Sequence, residues 1–390
     1  MKCFCKKLGE IADITMGTSP KGHTYNSLGE GLPLLNGPTE FGDKYPVCTS
    51  FTTASVRECL PGDIIFCVRG STTGRMNWAD KVYSLGRGVC SIRGEKESDT
   101  SFINYCLKHT LPALLQFAGG TTFPNLSRDA IQGFSIPFPD NRSKIAAILS
   151  NYDDLIENNQ RRIKLLEESA RLLYREWFVY FRFPGHEHVK IKQGIPAGWT
   201  TGVLSDFYDT TSGGTPSRTK PEYFDGDINW VKTQELNDCF IFETQEKITD
   251  EAVRNSSAKV FPENTVLVSI YGGTNIGRTG LLSTPAASNQ ACVALFPIHK
   301  CSNYMHASLF FREIRQILIG LAQGAAQTNI NQNTIRSLPM VMPPKVLMDI
   351  FEGHLFPVFQ QIKNLQLENI HLAKARDILL PKLMNGEVSV

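Results

Sequence analysis

Apolar residues between Lys144 and Phe178 recur at alternating steps of four and three: Ile145, Leu149, Tyr152, Ile156, Asn159, Ile163, Leu166, Ala170, Leu173 and Trp177. That is a heptad seam with one polar member, Asn159, and it predicts a long helix packed on another helix. A second seam has the same rhythm: Phe351, Leu355, Val358, Ile362, Leu365, Asn369, Leu372, Arg376, Leu379 and Leu383. Pro357 is expected to kink this second helix or to mark where its regular part begins. A helix of about 35 residues is roughly 50 Å long. The simplest way to bury two such seams in one chain is an antiparallel pair. Asn159 and Asn369 would then either fix the register of the pair or turn toward solvent or water.

Outside the seams the chain repeats itself. Leu8–Pro20 (LGEIADITMGTSP) is answered by Leu204–Pro216 (LSDFYDTTSGGTP), 196 positions later. Leu60–Phe66 (LPGDIIF) is answered by Phe261–Leu267 (FPENTVL), at an offset of 201. Asn125-Leu126-Ser127 with Ile131 is answered by Asn329-Ile330-Asn331 with Ile335, at an offset of 204. Slow drift of the offset is what insertions in surface loops produce. Each copy ends in a Pro-bounded segment, Pro137–Asp140 or Met342–Lys345, and runs into a seam.

Within each copy, Asp63–Arg69 and Thr265–Tyr271 read as strands ended by glycine, and Phe102–Gln116 and Tyr304–Leu321 as helices. The fold class is therefore α+β. Two mixed α/β domains stand in tandem, separated by two long helices that form an antiparallel coiled coil, with pseudo-two-fold symmetry. The boundaries read as a first domain over 1–142, a helix over 143–180, a linker over 181–195, a second domain over 196–343 and a helix over 344–390.

Composition narrows the function less than the pattern does. Hydrophobic content of 42% lets each half bury a core. No apolar run reaches the 18 residues of a membrane span, and MKCFCKKLGEIAD has no stretch fit for a secretion signal. Ten cysteines without a CxxC pair suggest reduced thiols in the cytoplasm. Net charge is only +2. Residues 1–140 hold 14 Lys and Arg against 13 Asp and Glu, and residues 196–343 hold 11 against 13. A DNA-binding chain of this balance must cluster its cations locally or receive positive charge from partners.

Several apparent motifs fail on inspection. Gly272–Thr279 (GGTNIGRT) is one substitution from a phosphate loop, but Arg278 stands where lysine is required. Gly280 and Pro285 then argue against the helix that would hold phosphate. His186 and His188 flank Glu187 without a third converging ligand, so no metal is expected. Trp177, Phe178 and Phe181 read as a core or domain-docking cluster, with a partner-docking surface as the alternative. Trp230 reads as core rather than a stacking platform. A methyltransferase would need a [DN]-P-P-[YF] motif; the only Pro-Pro is Pro343-Pro344, and no GxGxxG is present.

These features resemble the specificity subunit of Type I restriction–modification enzymes, over essentially the whole chain. The strongest marks are LLYREWFVYFRFPGHE at Leu172–Glu187 and RDILLPKLMNGE at Arg376–Glu387. Weaker ones are the Leu8–Pro20 start and SGGTPSR at Ser212–Arg218. The resemblance implies a non-catalytic DNA reader. Its two target-recognition domains would each read half of a bipartite site in double-stranded DNA. The helices would act as a ruler and dock two methyltransferase subunits, and restriction/translocase subunits would join for cleavage. The resemblance implies no cofactor on this chain; S-adenosylmethionine, ATP and Mg are expected on the partner subunits. Against it stand an enzyme and a pure assembly scaffold without base readout.

Candidate contacts rest on local chemistry. Glycines let a backbone approach a duplex, hydroxyls bond phosphate or base edges, Arg suits guanine, and Asn or Gln suits adenine. In the first copy these are Lys21, the loop residues Arg69, Ser71, Thr72, Thr73 and Arg75, and Thr121, Thr122 and Asn125. In the second they are Thr215, Ser217, Arg218 and Lys220, then Tyr271, Thr274, Asn275 and Arg278, and finally Gln327, Thr328 and Asn329. The competing reading of each is an ordinary polar turn.

Overall fold

A computed structural model describes residues 5–119, 124–322 and 329–390. Two units emerge, Met1–Glu157 with His371–Val390, and Asn158–Ile370. In the first, β1 (Ala12–Met16), β2 (Ile64–Cys67), β3 (Met76–Trp78) and β4 (Val89–Gly94) form an antiparallel sheet in the order β1-β4-β2-β3. On one face Ile64, Phe66, Val68, Cys90 and Ile92 share a core with Phe102, Ile103 and Leu107 of helix α1 (Glu97–Leu115). Ile65 and Cys67 serve a second core on the other face, with Leu35, Tyr83 and Leu85. Both faces of β2 are covered, which is why Ile64–Val68 is an unbroken apolar run rather than an alternating one. A short helix, α2 (Arg128–Gly133), is capped by Ser127, whose hydroxyl accepts from the Ala130 amide.

The second unit repeats the plan. Its sheet contains β5 (Tyr208–Ser212), β6 (Cys239–Ile241), β7 (Val266–Ser269), β8 (Thr279–Leu282) and β9 (Cys292–Pro297), in the order β5-β9-β7-β8-β6. The first four positions match the first unit; β6 adds a parallel edge strand. Helix α3 (Tyr304–Leu321) covers the sheet, and α4 (Gln332–Arg336) is capped by Asn331. The repeat holds to the level of register. Cys90 lies opposite both Met16 and Phe66, and Val293 opposite both Ser212 and Val268. Phe66 therefore corresponds to Val268, at an offset of 202. The offset of 201 read from LPGDIIF and FPENTVL is one residue short for these strands. In a strand, that slip would exchange the two faces and place Phe66 with Leu267, which belongs to the other core. The second copy carries one more residue in the turn before its strand. Gly62 and Asn264 occupy equivalent left-handed positions, with φ of 87° and 64°.

Each long helix supplies residues to both units. The first runs Arg142–Tyr174 and ends in a π-helical turn, Arg175–Val179; the second runs Lys345–Met384. In the first unit Ile145, Ala146 and Leu149 share a core with Leu380, Leu383 and Met384, and Arg376 pairs with Asp153. In the second, Ile163, Ala170 and Tyr174 share a core with Phe351, Leu355, Phe359, Ile362 and Leu365. Trp177 lies 5.3 Å from Phe351, whereas Ala170 lines a cavity with Phe359 and Ile362, so rising numbers on one helix meet falling numbers on the other. The pairing is antiparallel.

Ile145, Leu149, Asn159, Ile163, Ile362 and Leu365 are buried; Tyr152, Ile156, Leu166, Leu173, Val358, Asn369, Leu372 and Leu379 are half-buried. Two details differ from the heptad expectation. Pro357 does not interrupt the second helix, and its ring is exposed. Burial also extends to Phe359, Leu380 and Met384, because these turns pack on domain cores as well as on the partner helix. Asn159 is only 3% exposed, so it does not turn to solvent, and its Nδ2 lacks a partner among the described residues. Trp177 and Phe178 are core residues, and Phe181 packs edge-on against Trp199 at 5.3 Å. Trp230 is also core; its Nε1 donates to the Gly214 carbonyl at 3.0 Å.

Candidate nucleic-acid interface

Antiparallel order decides which turns meet. The end of β1, the end of β2 and the start of β4 lie at the same edge of their sheet, so residues 17–21, 68–75 and 85–88 emerge together. A fourth segment joins them. Leu126 donates its amide to the Val68 carbonyl at 2.9 Å, and Gly70 donates to Pro124 at 3.2 Å. In the second unit β5, β7 and β9 bring residues 213–220, 270–278 and 288–291 to one edge. Ile330 donates to Ile270 at 3.0 Å there, the counterpart of the Leu126 bond.

The glycine loops share one construction. Gly74 donates to Cys67 and Cys67 to Arg75, at 2.9 and 2.8 Å; Gly277 donates to Ser269 and Ser269 to Arg278, both at 2.9 Å. Gly70 and Gly74, and Gly272 and Gly277, all have positive φ. Side chains rarely adopt this region, and a Cβ on Gly74 or Gly277 would also press on Leu111 or Leu318 of the covering helix. Gly17 and Gly213 are needed for a different reason: a Cβ at either would collide with the carbonyl oxygen of Gly86 or Ser288 across the edge.

The proposed contact residues divide by what else they do. Lys21, Arg69, Ser71 and Asn125 are exposed at the first edge, and Arg69 and Asn125 form a backbone bridge. Thr72 is half-buried beside the Cys67 thiol. The Thr73 hydroxyl lies 2.8 Å from the Gly70 carbonyl and 3.0 Å from that of Pro124. Arg75 is exposed with its guanidinium 5.9 Å from the Phe41 ring. At the second edge Tyr271 and Thr274 are exposed, and Asn275 is half-buried. Asn329 accepts from the Gly272 amide at 3.4 Å. Arg278 donates to Asn237 at 2.8 Å. Thr215 bonds Gln290, and Ser217 bonds Thr219 at 2.8 Å. Arg218 is committed within the domain: it pairs with Glu246 at 2.7 Å and covers Phe224 at 4.1 Å. Lys220 donates to the Tyr223 hydroxyl at 2.9 Å. Thr121, Thr122, Gln327 and Thr328 lie outside the described residues.

No sequence motif marks two residues of the third turn, Arg87 and Gln290, both exposed. Their equivalence was readable only through an offset of 203, because LGRGVC and SNQACV share little. Nor does a motif mark Asp238, beneath the second loop. Asp238 has φ of 59°, accepts from the Thr279 amide and hydroxyl at 3.0 Å, and pairs with Arg315. Burial alone would raise its carboxyl, but the Arg315 bond and the nearby Arg312 charge hold it below the usual range. This network anchors the base of the loop to α3.

The loop Gly272–Thr279 leads into β8 rather than a helix, so it lacks the N-terminus that a phosphate loop requires. Among the described residues no group of three His, Cys, Asp or Glu is placed to hold a metal ion. Among them, too, no helix is long and apolar enough to cross a membrane.

Comparison with known proteins agrees with the two-copy plan. The family model described as Type I restriction modification DNA specificity domain matches residues 5–168 and again 196–347. The chain is 24% identical to the Type I restriction enzyme MjaIX specificity subunit of Methanocaldococcus jannaschii, covering 99% of this chain and 93% of that one. It is 25% identical to the HindI specificity subunit of Haemophilus influenzae over 68% of this chain and 72% of that one. The fold matches the crystal structure of a Type I restriction–modification S subunit from M. genitalium with a TM-score of 0.62. That match is 17% identical and covers 98% and 96% of the two chains.

Proposed function

Because the chain belongs to the Type I restriction modification DNA specificity family, we propose that it is the sequence-reading subunit of a Type I restriction–modification complex and supplies no catalytic group of its own. One observation carries this reading. Each of the two units gathers three turns and a capped segment at one edge of its sheet, and equivalent positions carry different side chains. The first glycine loop presents Arg69, Ser71 and Thr72, where the second presents Tyr271, Thr274 and Asn275. Similar frames with unlike faces suit two different half-sites, since base edges are distinguished by donor and acceptor pattern.

The first unit would read one half of a bipartite site in double-stranded DNA and the second unit the other. The paired helices would set the number of unread base pairs between them. One helical turn of B-DNA is roughly 34–36 Å, within the roughly 50 Å length of such helices. The first helix also carries outward apolar side chains, Leu165 (71% exposed) and Leu172, and its π-helical turn carries Val179. Leu165 and Leu172 stand seven residues apart, on one face of the α-helix, and this apolar surface would suit docking of methyltransferase subunits. S-adenosylmethionine, ATP and Mg would then be held by the methyltransferase and restriction/translocase partners. A complex working on chromosomal DNA would act in the cytoplasm.

The test is the methylated motif in DNA from cells expressing this chain with its methyltransferase. An asymmetric bipartite motif with an unread centre is expected. Methylation without a motif would support the scaffold reading instead. Binding of S-adenosylmethionine by the isolated chain would support the enzyme.

A further inference from the structure

Within the DNA-reading function proposed above, we infer that Arg87 and Gln290 are an equivalent pair of base-reading residues, Arg87 taking a guanine and Gln290 an adenine in the two half-sites. Their equivalence is set by backbone bonds. Gly88, next to Arg87, accepts from Val68 at 2.9 Å; Ala291, next to Gln290, accepts from Ile270 at 3.0 Å. One residue further on, Val89 accepts from Gly17 at 3.0 Å and Cys292 from Gly213 at 3.2 Å. Both side chains are exposed in the turn that lies between the Gly17 or Gly213 segment and the glycine loop.

Each is steadied by the hydroxyl of the same partner position. Arg87 donates Nε to Ser19 Oγ at 3.2 Å, and Thr215 Oγ1 bonds Gln290 Oε1. Ser19 and Thr215 are 196 residues apart, the offset of the first repeat. Holding Nε leaves the Arg87 Nη1/Nη2 fork for guanine O6 and N7. Holding one lone pair of Gln290 Oε1 leaves the other to accept from adenine N6, and Nε2 to donate to N7. The backbone beneath Arg87 is tightly seated: a Cβ on Gly86 or Gly88 would collide with Asn36. A side chain on a fixed turn, limited in rotation by one bond, loses little freedom on binding. Arg218 offers no such fork, because Glu246 and the Phe224 ring already hold it.

The test uses the full complex with its methyltransferase and a duplex library in which each position of the methylated motif is varied. Arg87→Ala is expected to lose about 10- to 100-fold discrimination at a single G·C pair in one half-site. Gln290→Ala should do the same at a single A·T pair in the other half-site, each leaving the opposite half unchanged. Arg87→Lys keeps the charge but not the fork, and should also relax the G·C position. A uniform loss of affinity across all sequences, with a shallower salt dependence, would make Arg87 a phosphate contact and overturn the assignment. An unchanged motif in both alanine variants would overturn it as well. A wild-type complex without sequence preference would instead remove the DNA-reading function itself, and this assignment with it.

Discussion

His306 shows what a single side chain contributes to the core that supports the second edge. It is fully buried, with its ring 4.8 Å from Phe178 and stacked on Tyr208 at 6.5 Å. Burial pushes its pKa down to about 3. An unfolded histidine titrates near pH 6.5, so below that value the unfolded chain gains a proton that the native chain refuses. The neutral ring's contribution is complete above about pH 6.5 and is lost as pH falls toward 3. The loss is up to about 1.4 kcal/mol for each pH unit. Denaturant unfolding of His306→Gln between pH 7 and 4 should show a flatter pH dependence than the wild type. An identical slope would mean that the ring is charged in the native state or solvated.

Among the elements, those legible in the sequence were those with one dominant period. Both seams gave long helices, and Tyr304–Leu321 is a helix with the ends that its pattern predicts. The glycine-ended apolar runs gave β2 and β7, and Asn125 and Asn329 fell beside the loops as the repeat implies. Legibility failed where tertiary contacts set the geometry. The one-residue difference between the Gly62 and Asn264 turns cannot be seen by matching apolar letters, because both faces of these strands are buried. The turn holding Arg87 and Gln290 lies between strands whose pairing crosses the sequence. Nor do letters show that Arg218 is already paired. The seam itself makes a prediction. The Asn159 amide nitrogen is buried without a partner among the described residues, at a cost of roughly 1–3 kcal/mol. Asn159→Leu should therefore raise the thermal midpoint by several degrees, at some loss of helix register. A lower midpoint would mean that the amide finds a partner, such as water, and stabilises the pair.

For the whole molecule, charge is the governing quantity. A net charge of +2 over 390 residues gives little general attraction to a polyanion. Each edge carries only a few cations, and at the second edge Arg218 is already paired with Glu246. The isolated chain is therefore expected to bind DNA much more weakly than the complex, with methyltransferase subunits adding positive surface around the duplex. Gel-shift titrations of both at one salt concentration decide this, and equal affinities would refute it. If the proposed function holds, each domain reads its own half of the site independently of the other. Exchanging residues 1–142 for those of another family member, and sequencing the methylated DNA made by the complex, tests it most directly. One half-site is expected to change while the other half and the spacer stay as they were; an unchanged motif, or one altered in both halves, would rule out independent reading.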